Sequence, residues 1–187
     1  ETPSVRDSVA HLKANGVTVV SLVADIPSSE RDHYIGVDNI AAGRTAGQLL
    51  GRFLGGRAGK ILVLTGSMLA RDHLERRLGF DEVMARDFPN LEVLASLEGR
   101  DDPALIAQLL PQTLAQHPGI IGIYSSAAGN EGLLAYFNTH QPAIKPVVIA
   151  HELTALSRHA LGVGFFDAVI SQDSGHLVRS AVRLMRA

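Results

Sequence analysis

Short apolar runs rich in valine, isoleucine and leucine alternate with helix-patterned stretches almost from one end of this chain to the other. Strands separated by helices pair in parallel through crossover connections, so the alternation predicts βαβ units and an α/β fold on a mostly parallel sheet. The pattern opens with a helix capped by Ser4 and running to about Asn15, with Val5, Val9 and Leu12 on one face and Asn15-Gly16 as the stop. A buried strand, Val17 to Val23, leads into the turn-rich loop Asp25–Ser29 and a short strand from Tyr34 to Val37. Asp38 or Asn39 caps the next helix, which ends near Leu54, and its small residues Ala41, Ala42, Gly43, Ala46 and Gly47 predict close approach of another backbone.

The glycine-rich stretch Gly55–Gly59 reads as a hinge or linker. After it the cycle repeats four times: strand Lys60–Leu64 and a helix near Arg71–Arg86; strand Leu91–Leu97 and helix Pro103–Gln116; strand Ile120–Tyr124 and helix Asn130–His140; strand Pro146–Ala150 and helix Ala155–Leu161. A last strand, Phe166 to Ser171, feeds a helix from about Ser174 to the end. Each lobe is expected to be a doubly wound sheet, and ligands of such sheets bind outside the carboxyl ends of the strands.

Composition narrows the chemistry. The chain has 187 residues, enough for one substantial domain or two lobes, and its 46% hydrophobic and 19% charged residues are those of an ordinary folded protein. With 17 basic and 19 acidic residues the net charge is −2, so these residues alone lack the positive field that a phosphate backbone requires. The absence of cysteine excludes disulfides, a thiolate nucleophile and cysteine-ligated zinc. No apolar run approaches the roughly 20 residues of a membrane helix. The opening Glu1-Thr2-Pro3-Ser4 is neither an initiating methionine nor a signal peptide, and reads as the edge of a processed chain or of a fragment.

Catalytic motifs are missing: there is no G-x-G-x-x-G, Walker loop, G-x-S-x-G or H-E-x-x-H, and His151-Glu152 lacks a second histidine four positions on. No catalytic residue, cofactor or metal is therefore expected, and the chain reads as a binder rather than an enzyme. The densest polar cluster, Arg71-Asp72-His73, comes after a strand and Gly66-Ser67; its guanidinium and carboxylate suit a polyhydroxylated or carboxylate-bearing ligand. The alternative is that it caps and solvates the helix it opens, where Glu75, Arg76 and Arg77 continue the charge and look solvated. His151 and Glu152 emerge at a strand's carboxyl end, either toward a ligand or, for Glu152 or Thr154, as the opening of the next helix. Gln172 lies where the chain leaves one lobe for the other, as a ligand contact or an inter-lobe hydrogen bond. Ser125, Ser126 and Asn130 are further donors, beside a tight turn Ala127-Ala128-Gly129.

The run Tyr34-Ile35-Gly36-Val37-Asp38-Asn39-Ile40-Ala41-Ala42-Gly43 resembles the signature shared by LacI/GalR regulators and periplasmic sugar-binding proteins. Gly66-Ser67, the R-x-x-G-F pattern Arg76 to Phe80, Gly122-Ile123-Tyr124, Val147 to Glu152 and Ala168 to Asp173 extend the resemblance over practically the whole chain. It implies a periplasmic-binding-protein-like fold of two doubly wound parallel-sheet lobes that close on a sugar or similar effector. The first lobe would comprise residues 1–56, with helix 173–187 returning to it; the second would comprise 57–172. Measured against the family, the helix-turn-helix headpiece, the first strands of the first lobe and the final crossing are absent.

The resemblance implies a ligand site of Arg71, Asp72, Ser126, Glu152 and Gln172, with Asp25 and His151 behind them. Departures mark it: His151-Glu152 stands where members usually place an aspartate, only Asp25 matches their Asp-Arg, and Ser125-Ser126-Ala127 replaces their Asn-Asp. The leading expectation is the effector-sensing domain of a cytoplasmic LacI-type transcription regulator. It would form a homodimer, respond allosterically to a small molecule such as a sugar, and reach operator DNA through a headpiece outside this chain. The alternative is a periplasmic sugar-binding protein of a transport system.

Overall fold

The computed structural model describes residues 2–140, 142 and 144–186; Glu1, the expected chain edge, and Ala187, the expected end of the last helix, lie outside the described residues. The chain divides into two compact units. One runs up to Asp38 and takes in Ala70–Asp72 and the chain from Gln172 onward; the other comprises Asn39–Leu69 and His73–Ser171.

In the first unit, helix α1 (Pro3–Ala14) precedes strands β1 (Val20–Leu22) and β2 (His33–Ile35), which pair in parallel with Val20 opposite His33. Helix α1 starts one residue before Ser4, because Pro3 presets the first helical torsion and Thr2 takes the capping position. Of its expected apolar face only Val9 is buried, while Val5 and Leu12 stay exposed, since a two-stranded sheet is too narrow to cover three turns of helix. Helix α7 (Ser174–Met185) packs on both strands through Leu177 and Ala181, and Asp173 caps it by accepting from the backbone N–H of His176 at 2.8 Å.

The second unit holds helix α2 (Asn39–Leu54), strand β3 (Gly59–Thr65), α3 (Arg71–Asp87, of which residues from His73 on belong here), β4 (Leu91–Val93), β5 (Leu97–Glu98) and α4 (Pro103–Gln116). It continues with β6 (Ile120–Ser125), α5 (Asn130–Thr139), β7 (Val147–His151), α6 (Ala155–Gly162) and β8 (Ala168–Ile170). Its six-stranded sheet is parallel throughout, in the order β4-β3-β6-β7-β8, with β5 also pairing β3. The strand expected over Leu91–Leu97 is thus two short pieces, and between them Arg77 of α3 donates to the carbonyl of Leu94 and to Ser96 Oγ.

Both faces of this sheet are covered, which is why β3 and β7 read as unbroken apolar runs. Leu62, Leu64, Ile123 and Val148 face Ile106, Leu110, Leu133 and Phe137 of α4 and α5, whereas Ile61, Val63, Tyr124 and Ile149 face Ala46, Leu50 and Leu54 of α2 and Phe80 and Met84 of α3. Each fully buried leucine here contributes roughly 1.5–3 kcal/mol. That packing also explains why the units divide at Asp38 and Asn39 rather than near residue 56: α2 supplies half of one core layer of the second unit. Gly55 and Gly56, at φ 60° and 83°, therefore terminate a helix whose successor strand lies in the same unit, and the stretch to Gly59 is a turn rather than a crossing. The small residues of α2 act as expected, for a Cβ at Gly43 would overlap the carbonyl of Arg76 and one at Gly79 that of Ile40.

Candidate functional site

A parallel sheet sends every strand's carboxyl end to the same edge, so the second unit gathers there the residues that leave β3, β5, β6 and β7. The centre of that edge is Arg76, a side chain read from sequence as solvated but only 5% exposed. Its Nε donates to Asn39 Oδ1 at the start of α2 (3.0 Å), its Nη1 donates to the carbonyl of Ser126 after β6 (2.7 Å), and its Nη2 stands 3.9 Å from Glu152 Oε1 after β7. One guanidinium thus ties a helix start to two strand ends. The signal that could have found it is the spacing His73, Arg76, Phe80, Val83: all are buried, one inward stripe at helical period.

Beneath Arg76 lies a buried pair. The Tyr124 hydroxyl and His151 Nε2 share a 2.9 Å hydrogen bond, with the Tyr124 ring stacked on Phe80. Burial, reinforced by the positive charge of Arg76 and by His73, pushes His151 down to about 3, so its imidazole is neutral; burial pushes the Tyr124 hydroxyl upward. The sequence places His151 at the ligand edge, but the two-residue period of β7 turns it onto the α2/α3 face, where it completes the core's polar cap.

The three candidates in this unit therefore differ. Ser126 is fully buried, and its short hydroxyl turns back to donate to the Leu64 carbonyl at 3.0 Å. Glu152 keeps its side chain 42% exposed while its backbone is pinned: its N–H donates to Ile170 O at 2.9 Å and its carbonyl accepts from Ser157 Oγ at 2.6 Å. Thr154, with Ser157 in a capping box, opens α6. Two buried oxygens at this edge, Thr65 Oγ1 ending β3 and Asn130 Oδ1 opening α5, find no hydrogen-bond partner among the described residues, a rare condition in a folded protein.

Backbone strain marks the same places. Among the described residues the non-glycine residues with positive φ are Val23 (71°), Arg100 (52°), Asp101 (58°) and Glu152 (68°), and each comes soon after the carboxyl end of a strand. Such torsions cost about 1–2 kcal/mol for a residue with a side chain and concentrate where structures bind or react. After β5, Gly99 N–H donates to Thr65 O (2.7 Å), Arg100 N–H to Gly66 O (2.9 Å), and Asp101 Oδ1 accepts from Ala128 N–H (3.0 Å), so the loop is fastened to the ends of both β3 and β6. His73, 9% exposed, meets the backbone of Ser67 through Nδ1 at 3.2 Å.

The remaining candidates lie in the first unit. Asp25 is held by Arg31, whose Nη2 donates to Oδ2 at 2.8 Å, and accepts from Ile26 N–H; the Arg31 bond keeps its carboxyl below the ordinary range. Its oxygens are thereby engaged within its own loop. Arg71, exposed, and Asp72, half-buried, open α3, and Gln172, half-buried, stands after β8. No group of three or more His, Asp or Glu among the described residues could hold a metal ion, and no helix is long and apolar enough to cross a membrane.

This geometry has close counterparts. A solute-binding protein of an ABC transporter from Burkholderia graminis, solved with D-arabinose, superposes with a TM-score of 0.92 at 26% identity over 100% of this chain and 65% of that one. A sugar-binding protein of a sugar ABC transporter from Bacillus halodurans gives 0.90 at 23% identity, covering 98% of this chain and 63% of its own, a likeness of fold. A xylitol-binding protein of Mycolicibacterium smegmatis is 28% identical over 95 residues, 51% of this chain and 27% of that protein. The chain thus spans less than two thirds of the length of these relatives. The model of the periplasmic binding protein domain matches residues 1–187, and with its parallel sheet and polar carboxyl edge the chain belongs to that family.

Proposed function

We propose that this chain is the sugar- or polyol-binding part of a solute-binding protein that serves a transport system, and not an enzyme. The observation that carries the reading is the carboxyl edge of the second unit, where a buried guanidinium stands 3.9 Å from an accessible carboxylate on a strained backbone. A carboxylate accepts from one hydroxyl and a guanidinium donates to another, which is the chemistry a polyhydroxylated ligand needs. The relatives named for xylitol and solved with D-arabinose support it. Glu152 is the contact that this edge offers to the ligand.

The test is a thermal-shift screen of the full-length protein against xylitol, D-arabinose, D-xylose and D-allose, since a specific binder raises the melting temperature by mass action. The expected result is a shift with at least one of them, lost in Glu152→Gln, which keeps the side chain's shape and removes its charge. No shift with any, or a shift indifferent to Glu152→Gln, overturns the reading or its site.

The second reading is the effector domain of a LacI-type regulator, cytoplasmic and homodimeric, which the Tyr34-Ile35-Gly36-Val37-Asp38-Asn39 signature and Arg71-Asp72-His73 favour. It shares the ligand chemistry and differs in the partner. Salt-sensitive binding of operator-bearing DNA by the full-length protein would favour it; transfer of the sugar to a membrane permease would favour transport.

A further inference from the structure

Gly99-Arg100-Asp101-Asp102 forms a tight turn: the N–H of Asp102 donates to the carbonyl of Gly99 at 2.9 Å, and both central residues have positive φ, 52° and 58°. That is the signature of a type I′ turn, whose central positions favour glycine, asparagine and aspartate because a β-carbon crowds the backbone there. Asp101 belongs to the tolerated set and is engaged by the Ala128 N–H. Arg100 does not, and its exposed guanidinium makes no hydrogen bond or ion pair among the described residues. Nothing in the fold repays this arginine.

The turn is nevertheless one of the most firmly held pieces of the carboxyl edge. It is bonded to Thr65 O and Gly66 O on one side and to Ala128 N–H on the other, and Asp102 caps α4 by accepting from the N–H groups of Ala104 and Leu105. A rigid platform thus presents an uncommitted fork of donors beside the ends of β3 and β6, on the same sheet edge as Arg76 of α3 and Glu152 after β7. Resting on the sugar-binding reading above, we infer that Arg100 is a specificity-determining contact, donating to ring or chain hydroxyl oxygens of the bound sugar or polyol, and that the turn's strain is retained for that purpose.

The inference makes stability and affinity move in opposite directions. In the full-length protein, Arg100→Gly relieves the turn and raises the melting temperature of the ligand-free protein by about 2–4 °C. The same variant binds the screen's best sugar at least tenfold more weakly by titration calorimetry. Arg100→Lys, which keeps a cation but not the fork, melts like the wild type and loses several-fold in affinity. Wild-type affinity in Arg100→Gly overturns the inference and leaves the sugar-binding reading standing. An unchanged or lowered melting temperature overturns the claim that the arginine is held against a cost. A wild-type protein that responds to none of the four probes overturns the reading, and the inference with it.

Discussion

The two ends of the second unit's sheet meet the same backbone requirement in opposite ways. At the amino end the turns into β6 and β8 need positive φ, and both positions are glycine, Gly119 at 88° and Gly164 at 74°, with open space where a side chain would go. At the carboxyl end the turn out of β6 also uses a glycine, Gly129 at 90°, but the turns out of β5 and β7 need the same region and carry Arg100, Asp101 and Glu152. One end is relaxed and the other strained, although strands, register and helices are common to both. The strained end is also the one with a buried cation, a neutral buried histidine and two orphaned oxygens. Local strain of this kind concentrates where side chains have to be presented, which makes this edge the one to test for binding.

The largest expected effect comes from removing the group that holds the strained end together. Arg76→Leu leaves the Ser126 carbonyl and Asn39 Oδ1 without their buried donor, and should lower the unfolding free energy of the full-length protein by about 3 kcal/mol in urea denaturation. A loss below about 1 kcal/mol would mean that the edge does not depend on this guanidinium.

Acid should act on the same end. His151 has a folded pKa of about 3 against an ordinary 6.5, so between those values the unfolded chain takes up a proton that the folded chain refuses. Its contribution is whole above about 6.5 and is lost as the pH falls toward 3, by at most ~1.4 kcal/mol per pH unit for one proton. From pH 7 to 5 that amounts to about 2 kcal/mol. His151→Gln, which can still bond Tyr124 but cannot titrate, should lose less over this range; equal drops in melting temperature for both proteins would break the assignment. The smallest effect belongs to the relaxed end. Gly119→Ala meets no atom within 4 Å, so it should cost only the torsional ~1 kcal/mol and leave sugar affinity untouched. A matching loss of affinity would erase the distinction between the two ends.

Much of the second unit was readable from periodicity. Helices α2 and α4 to α6 begin at the expected residues, α4 and α6 behind capping side chains of Asp102 and Thr154, and the unbroken apolar runs of β3 and β7 mark strands covered on both faces. The strand around Leu94 was not readable as two pieces, because Arg77, 17 positions back on the preceding helix α3, folds over to bond that carbonyl. The site was legible only in outline. Composition and spacing put polar residues at strand ends, yet Ser126 and His151 turned inward, Asp25 went to Arg31, and Arg76, lost in a charged run, proved to be the hub.

By itself the sequence determined the order of strands and helices, since residue period and turn chemistry are local and survive any packing. It also settled that polar groups would collect at the carboxyl ends, because a parallel sheet sends every such end to one side. Only the tertiary structure decided which of those groups remain available. That choice depends on whether a buried donor or acceptor finds its complement on another element, and Arg76 meets Asn39 across 37 positions and Ser126 across 50. No local pattern carries partners so far apart.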